Sequence, residues 1–99
     1  IALAYSEREI ENINVVIAQA ADELLSVKGI EASFVIGKKY ETAFISARSF
    51  GHINVQVLME KLGGGGHIDI AGAQLEDVSL NEAYKKVYEI IEKYLQEED

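Results

Sequence analysis

The sequence predicts an α+β fold: a single domain in which a mixed β-sheet is packed by about three helices. Three observations lead there. Apolar residues recur with helical spacing in three segments, they alternate with period two in two others, and the segments follow one another as strand, helix, hairpin, helix, strand, helix. The 99 residues contain no proline, no linker composition and no internal repeat, so residues 1–99 read as one domain without an internal boundary.

Each element has its own justification. Ile1 to Tyr5 is a short apolar run with the character of a buried strand, followed by a polar stretch from Ser6 to Asn12. Ile13, Val16, Ile17, Ala20, Ala21, Leu24 and Leu25 then fall on one face of a helix, with Gly29 placed to stop it. The interval from Glu31 to Ser46 reads as two strands, with Ala32, Phe34 and Ile36 alternating in the first and Ala43, Ile45 and Ala47 in the second. Gly37-Lys38-Lys39-Tyr40 resembles the connection of that hairpin. Val55, Leu58, Met59 and Leu62 restore the helical period, and a further strand is expected around Ala73-Gln74-Leu75. Ser79-Leu80-Asn81-Glu82 is a capping box, in which each side chain covers a backbone N–H of the other residue. The helix that it opens presents Ala83, Val87, Ile90, Ile91 and Tyr94 on its apolar face.

Composition excludes several function classes. There is no cysteine, hence no disulfide framework and no thiolate metal site. No apolar run approaches the ~20 residues of a membrane span, and no signal-peptide pattern opens the chain. The chain begins with Ile1 rather than Met, so it is expected to be a piece of a longer or processed protein. The net charge is −8, with two arginines and seven lysines against seventeen acids. Proteins that track a long polynucleotide present a basic face and gain affinity from counterion release, so a long duplex or extended strand is a poor match. A short ligand with one or two phosphates remains compatible. The acids at Glu97, Glu98 and Asp99 read as a solvated helix end.

The run Gly63-Gly64-Gly65-Gly66-His67 carries the most chemical information. Residues without a Cβ permit positive φ and close approach, and consecutive N–H groups can converge on an anion, with the His67 imidazole as an added donor. The bland alternative is a passive linker. Such linkers usually carry serine and lack patterned flanks, whereas this run lies between a helix and a strand. Arg48 is the second candidate, at a strand end in Ser46-Ala47-Arg48-Ser49. Its guanidinium can hold a phosphate through two parallel hydrogen bonds, and Ser46 and Ser49 offer hydroxyls beside it. Its alternative role is a surface ion pair. His52 belongs to the turn before the second helix. With His67 as the only other histidine, and no Asp-x-Asp spacing, no complete metal centre is expected. Asp69 and Asp77 lack a nucleophile or metal to work with, so no catalytic residue is assigned.

The segment from Arg48 to Ala73 resembles the DHH-associated domain that follows the metal-binding domain of DHH-family phosphoesterases. The hallmark is the glycine-rich stretch ending in histidine and then a small-residue cluster, here Gly63 to His67 and Ala71-Gly72-Ala73, with Ile70 standing where many members have alanine. The upstream Ser46-Ala47-Arg48-Ser49, the helix from Asn54 to Leu62 and Gln74-Leu75-Glu76-Asp77 look similar too, so the likeness covers most of the chain.

In detail the wording is most similar to the bacterial cyclic-di-AMP phosphodiesterases, membrane-anchored proteins with PAS-like, degenerate GGDEF and DHH domains before this one. That resemblance implies a cytoplasmic substrate-binding domain within a parent that hydrolyses cyclic di-AMP to the linear dinucleotide pApA. Manganese would be held by the preceding DHH domain, and no cofactor by this segment. It carries Arg48, Gly63, Gly64, Gly65, Gly66 and His67 over as phosphate- or nucleotide-binding residues, with the DHH domain as an intramolecular partner. Homodimerisation stays open, and no direct membrane contact is expected. The alternatives are the nucleic-acid-binding domain of an oligoribonuclease or single-strand exonuclease, and a tRNA-binding or dimerisation module like those of alanyl-tRNA synthetases.

Overall fold

Strand alternation decides which way this sheet faces its helices. The computed structural model describes residues 1–98; Asp99, counted above in the acidic tail, lies outside the described residues. The elements are β1 (Ala2–Tyr5), α1 (Ile13–Leu25), β2 (Ala32–Lys39), β3 (Thr42–Ser49), α2 (Val55–Glu60), β4 (Gly65–Gly66), β5 (Ile70–Glu76) and α3 (Leu80–Glu98). They form one five-stranded sheet in the order β1-β2-β3-β5-β4, with β1 parallel to β2 and every other pair antiparallel. The mixed sheet and three helices expected from the sequence are present.

Ala32, Phe34 and Ile36 of β2 and Ala43, Ile45 and Ala47 of β3 point to one face. There they pack with Val55, Leu58 and Met59 of α2 and Ala83, Val87 and Ile91 of α3. Val35 and Phe44 point the other way, onto Ile13, Ile17 and Ala21 of α1. A strand buried on both faces loses the polar alternation of a half-exposed one, which is why β2 is buried from Ala32 to Gly37. Ser33, on the α1 side, is satisfied by donating to the Ala21 carbonyl at 2.6 Å.

Two expected boundaries move. The β2–β3 loop is Tyr40-Glu41, with Tyr40 at φ 54°, and not Gly37 to Tyr40. Gly37 lies inside β2 because α1 crosses directly above it; a Cβ there would meet Cγ1 of Ile13 and sit 2.6 Å from its Cδ1. The first helix ends at Leu25 with Ser26 as its C-cap, and Gly29 serves the turn beyond, where the Ile30 N–H donates to the Val27 carbonyl. The capping box forms as read: Glu82 N–H donates to Ser79 Oγ at 3.0 Å, and Ser79 N–H to Glu82 Oε1 at 3.1 Å. The hydrogen bond that the carboxylate accepts from the Ser79 backbone foremost, and the Ser79 side chain second, hold the Glu82 carboxyl below its ordinary pKa. Among the described residues, no helix is long and apolar enough to cross a membrane.

Candidate functional site

The glycine run is built by the end of α2. Gly63, at φ 85°, reverses the chain so that the Gly64 N–H reaches back to the Met59 carbonyl at 2.8 Å. Gly65 and Gly66 then form β4, a two-residue edge strand opposite Gly72 and Ala71 of β5. Contact is close enough that a Cβ on Gly64 would meet the Gly72 carbonyl oxygen and lie 2.7 Å from Ala73 Cα. The run is therefore neither a linker nor wholly a loop. Its glycines let an edge strand pack flush on β5. The amides of Gly63, Gly64 and His67 are bonded to the carbonyls of Glu60, Met59 and Ile70, and Gly65 is paired with Gly72 in the β4–β5 ladder, so most of the nest of N–H donors expected from the sequence is already engaged.

Arg48 lies on the α1 side of β3, with its side chain only 13% exposed. Nε donates to Asp22 Oδ1 at 2.9 Å, and Nη1 donates to Ser46 Oγ at 2.9 Å and to the Ala47 carbonyl at 3.0 Å. Among the described residues, Nη2 has no hydrogen-bond partner, which leaves that one nitrogen of the fork for a ligand. The ion-pair reading and the binding reading of this arginine are thus compatible, because Asp22, Ser46 and Ala47 engage Nε and Nη1 but not Nη2. Of its two flanking serines, Ser46 shares this site. Ser49 faces the opposite side and donates to the Ile53 carbonyl at 2.7 Å, so it supports the loop before α2 instead of a ligand.

Register brings the separate candidates together. Arg48 is paired with Ile70, whose carbonyl accepts from the His67 N–H at 2.7 Å. One row over, Ser46 is paired with Gly72 and Gly72 with Gly65. Two strand spacings amount to roughly 10 Å, so Arg48, the glycines and the exposed His67 occupy one end of the sheet. His52 is exposed in the bend before α2, whose N-cap is Asn54.

A groove of about 550 Å³ opens on the same face between α1 and β5. It is lined by Asn14 and Ile17 of α1, Phe44 and Ser46 of β3, Gly63 and Gly64, and Gly72, Gln74 and Glu76 of β5. The sequence does not single out Asp22, Asn14 and Gln74 as site residues, because no local motif marks them as such; Gln74 stands there only as part of the expected strand and of the family-like segment. Among the described residues, no three His, Cys, Asp or Glu side chains converge as metal ligands. What this arrangement can do chemically is bind an anion with an organic body attached.

The DHHA1 domain model matches residues 2–97. The chain is 50% identical over 97 residues to the cyclic-di-AMP phosphodiesterase GdpP of Geobacillus thermodenitrificans, covering 97% of this chain and 15% of that protein. It is also 50% identical over 94 residues to the cyclic-di-AMP phosphodiesterase PdeA of Listeria monocytogenes, covering 94% and 14%. The bifunctional oligoribonuclease and PAP phosphatase NrnA of Thermus thermophilus is 39% identical over 69 residues, 70% of this chain and 21% of that one. Among solved structures, an exopolyphosphatase-related protein from Bacteroides fragilis superposes with a TM-score of 0.68 at 29% identity, covering 75% of this chain and 22% of the other. The chain thus spans about one-seventh of the cyclic-di-AMP phosphodiesterases that it matches. With the family match running over residues 2–97, almost its whole length, the chain belongs to the DHHA1 domain family.

Proposed function

We propose that this chain is the substrate-binding domain of a phosphodiesterase that converts cyclic di-AMP to pApA. The observation that carries the proposal is the Arg48 guanidinium, fixed by Asp22, Ser46 and Ala47 with Nη2 unpartnered among the described residues, paired in register with Ile70, whose carbonyl holds His67, and beside the glycine edge. A guanidinium held through Nε and Nη1 offers Nη2 to a phosphate without paying for its own ordering. Gly65 and Gly66 leave a Cβ-free backbone next to it, and His67 adds an imidazole donor. The 50% identity to two cyclic-di-AMP phosphodiesterases supports the substrate, and the net charge of −8 favours a small dinucleotide over a polymer.

In this reading the domain grips and orients, while manganese in a preceding DHH domain supplies the activated water. A membrane-anchored parent belongs to the same proposal. A second reading, a grip on short oligonucleotides, draws on the 39% identity to NrnA. An amide-resolved NMR titration with pApA, cyclic di-AMP and a mixed-sequence oligonucleotide separates them. Selective shifts at Arg48, Gly65, Gly66 and His67 with the adenine dinucleotides support the first reading. Stronger, steeply salt-dependent binding of the oligonucleotide supports the second, and no response at these residues removes both.

A further inference from the structure

The groove between α1 and β5 has a polarity that the phosphate grip does not use. At one end Ser46 lines it, and the Ser46 hydroxyl is the one that accepts from Arg48 Nη1. At the other end stands the Glu76 carboxylate, bonded to the Thr42 hydroxyl at 2.8 Å. An anion is favoured at the arginine end and repelled at the glutamate end, so a ligand with a phosphate on Arg48 would direct its uncharged part along the groove. The volume of about 550 Å³ lies within the roughly 300–1,000 Å³ typical of small-ligand sites. Gly63, Gly64 and Gly72 line it without side chains, next to the Phe44 ring, which suits a flat heterocycle. The two neutral amides in the lining are Asn14 on the helix side and Gln74 on the strand side. Both side chains are exposed, and neither takes part in a hydrogen bond among the described residues.

We infer that this groove is a nucleobase subsite, in which Gln74, with Asn14 across from it, selects adenine over guanine. The inference rests on the reading of the chain as a dinucleotide-binding domain and deepens it. A carboxamide offers one donor and one acceptor side by side. Adenine presents the complement, an N7 acceptor beside the N6 amino donor, so Gln74 Nε2 donates to N7 while Oε1 accepts from N6. Guanine presents acceptors at both N7 and O6. One of them must then face the amide oxygen, and turning the amide over only moves the mismatch to the other. The glutamine thus distinguishes the purines by hydrogen-bond pattern, and the arginine binds either through phosphate.

The test is isothermal titration of the chain with pApA and with pGpG, for the wild type, Gln74→Leu and Arg48→Ala. Gln74 is exposed and makes no described bond, so its replacement leaves the fold intact, as matching thermal melts check. The expected result is a wild-type preference for pApA of about 5- to 150-fold, the range of one bidentate base contact. Gln74→Leu brings the two affinities to near parity, while Arg48→Ala weakens both alike and preserves their ratio. A preference unchanged in Gln74→Leu, with the Arg48→Ala loss intact, overturns the base subsite and leaves the dinucleotide reading standing. Equal wild-type affinity for the two dinucleotides has the same meaning. Binding of neither at millimolar concentration overturns the subsite together with the reading on which it rests.

Discussion

Asp22 Oδ1 accepts a 2.9 Å hydrogen bond from Arg48 Nε, joining α1 to β3 across 26 residues of sequence. The pair is asymmetric: the arginine side chain is 13% exposed and the aspartate 65%. The carboxylate therefore does two opposing things. It orients the guanidinium, and it offsets part of the charge that would attract an anion.

Substitutions at the two residues should move ligand affinity in opposite directions. Arg48→Ala removes the grip and is expected to weaken pApA binding by ~1.5–3 kcal/mol, the worth of a charge-assisted hydrogen bond. Asp22→Asn keeps an acceptor for Nε and removes the negative charge, so binding of the anionic ligand should strengthen severalfold at low salt and converge on wild type at high salt. The stability cost of Asp22→Asn should stay below about 1 kcal/mol, as for exposed ion pairs. Calorimetry at two ionic strengths reads both effects; a loss of affinity in Asp22→Asn would show that orientation outweighs charge.

The glycine run should be sensitive at one position and tolerant at the next. A Cβ on Gly64 runs into the Gly72 carbonyl and Ala73, backbone that cannot yield while β4 stays paired. Gly64→Ala is therefore expected to cost ~1–3 kcal/mol, as for overpacking. At Gly65 a Cβ meets nothing within 4 Å, and Gly65→Ala should be neutral or mildly stabilising through the unfolded chain. Urea denaturation of the two variants checks the contrast, and equal midpoints would contradict the packing described here.

Gly37 makes a parallel case on the other side of the sheet. Its added Cβ would collide with Ile13 and lie 2.8 Å from Ile17 Cγ2, so Gly37→Ala should destabilise by ~1–3 kcal/mol. Shortening the neighbour relieves part of the clash. In a double-mutant cycle with Ile13→Val, the double variant should be more stable than the sum of the singles predicts. Strict additivity would place the strain elsewhere.

The capping box predicts a pH dependence. The folded-state pKa of Glu82 is lowered from 4.5, so its contribution is fully present above that unfolded value and is lost as pH falls through the lower, folded one. Glu82→Ala should accordingly destabilise the domain at neutral pH, with the deficit shrinking at pH below 4.5. Chemical denaturation at both pH values measures it, and a constant deficit would mean that ionisation of Glu82 is irrelevant to the cap.

What the sequence determined by itself is what depends on near neighbours along the chain. The steps from Ile13 to Leu25, the alternation in Ala32-Phe34-Ile36 and Ala43-Ile45-Ala47, and the Ser79–Glu82 box each encode an element within a few residues, and each formed. The glycine run and Arg48 stood out locally as well, through their composition. Tertiary structure decided everything that required two distant segments to meet. The placement of Gly37 within β2 depends on α1 crossing above it, which no hairpin signal contains. Conversion of the glycine loop into an edge strand depends on the small residues of β5. The pairing of Arg48 with Asp22, and the alignment of Asn14 and Gln74 along one groove, follow from the packing of α1 against a sheet whose β5 lies beside β3. Local propensity acts over a turn or two of chain, whereas side-chain complementarity between elements exists only once the core has fixed their faces.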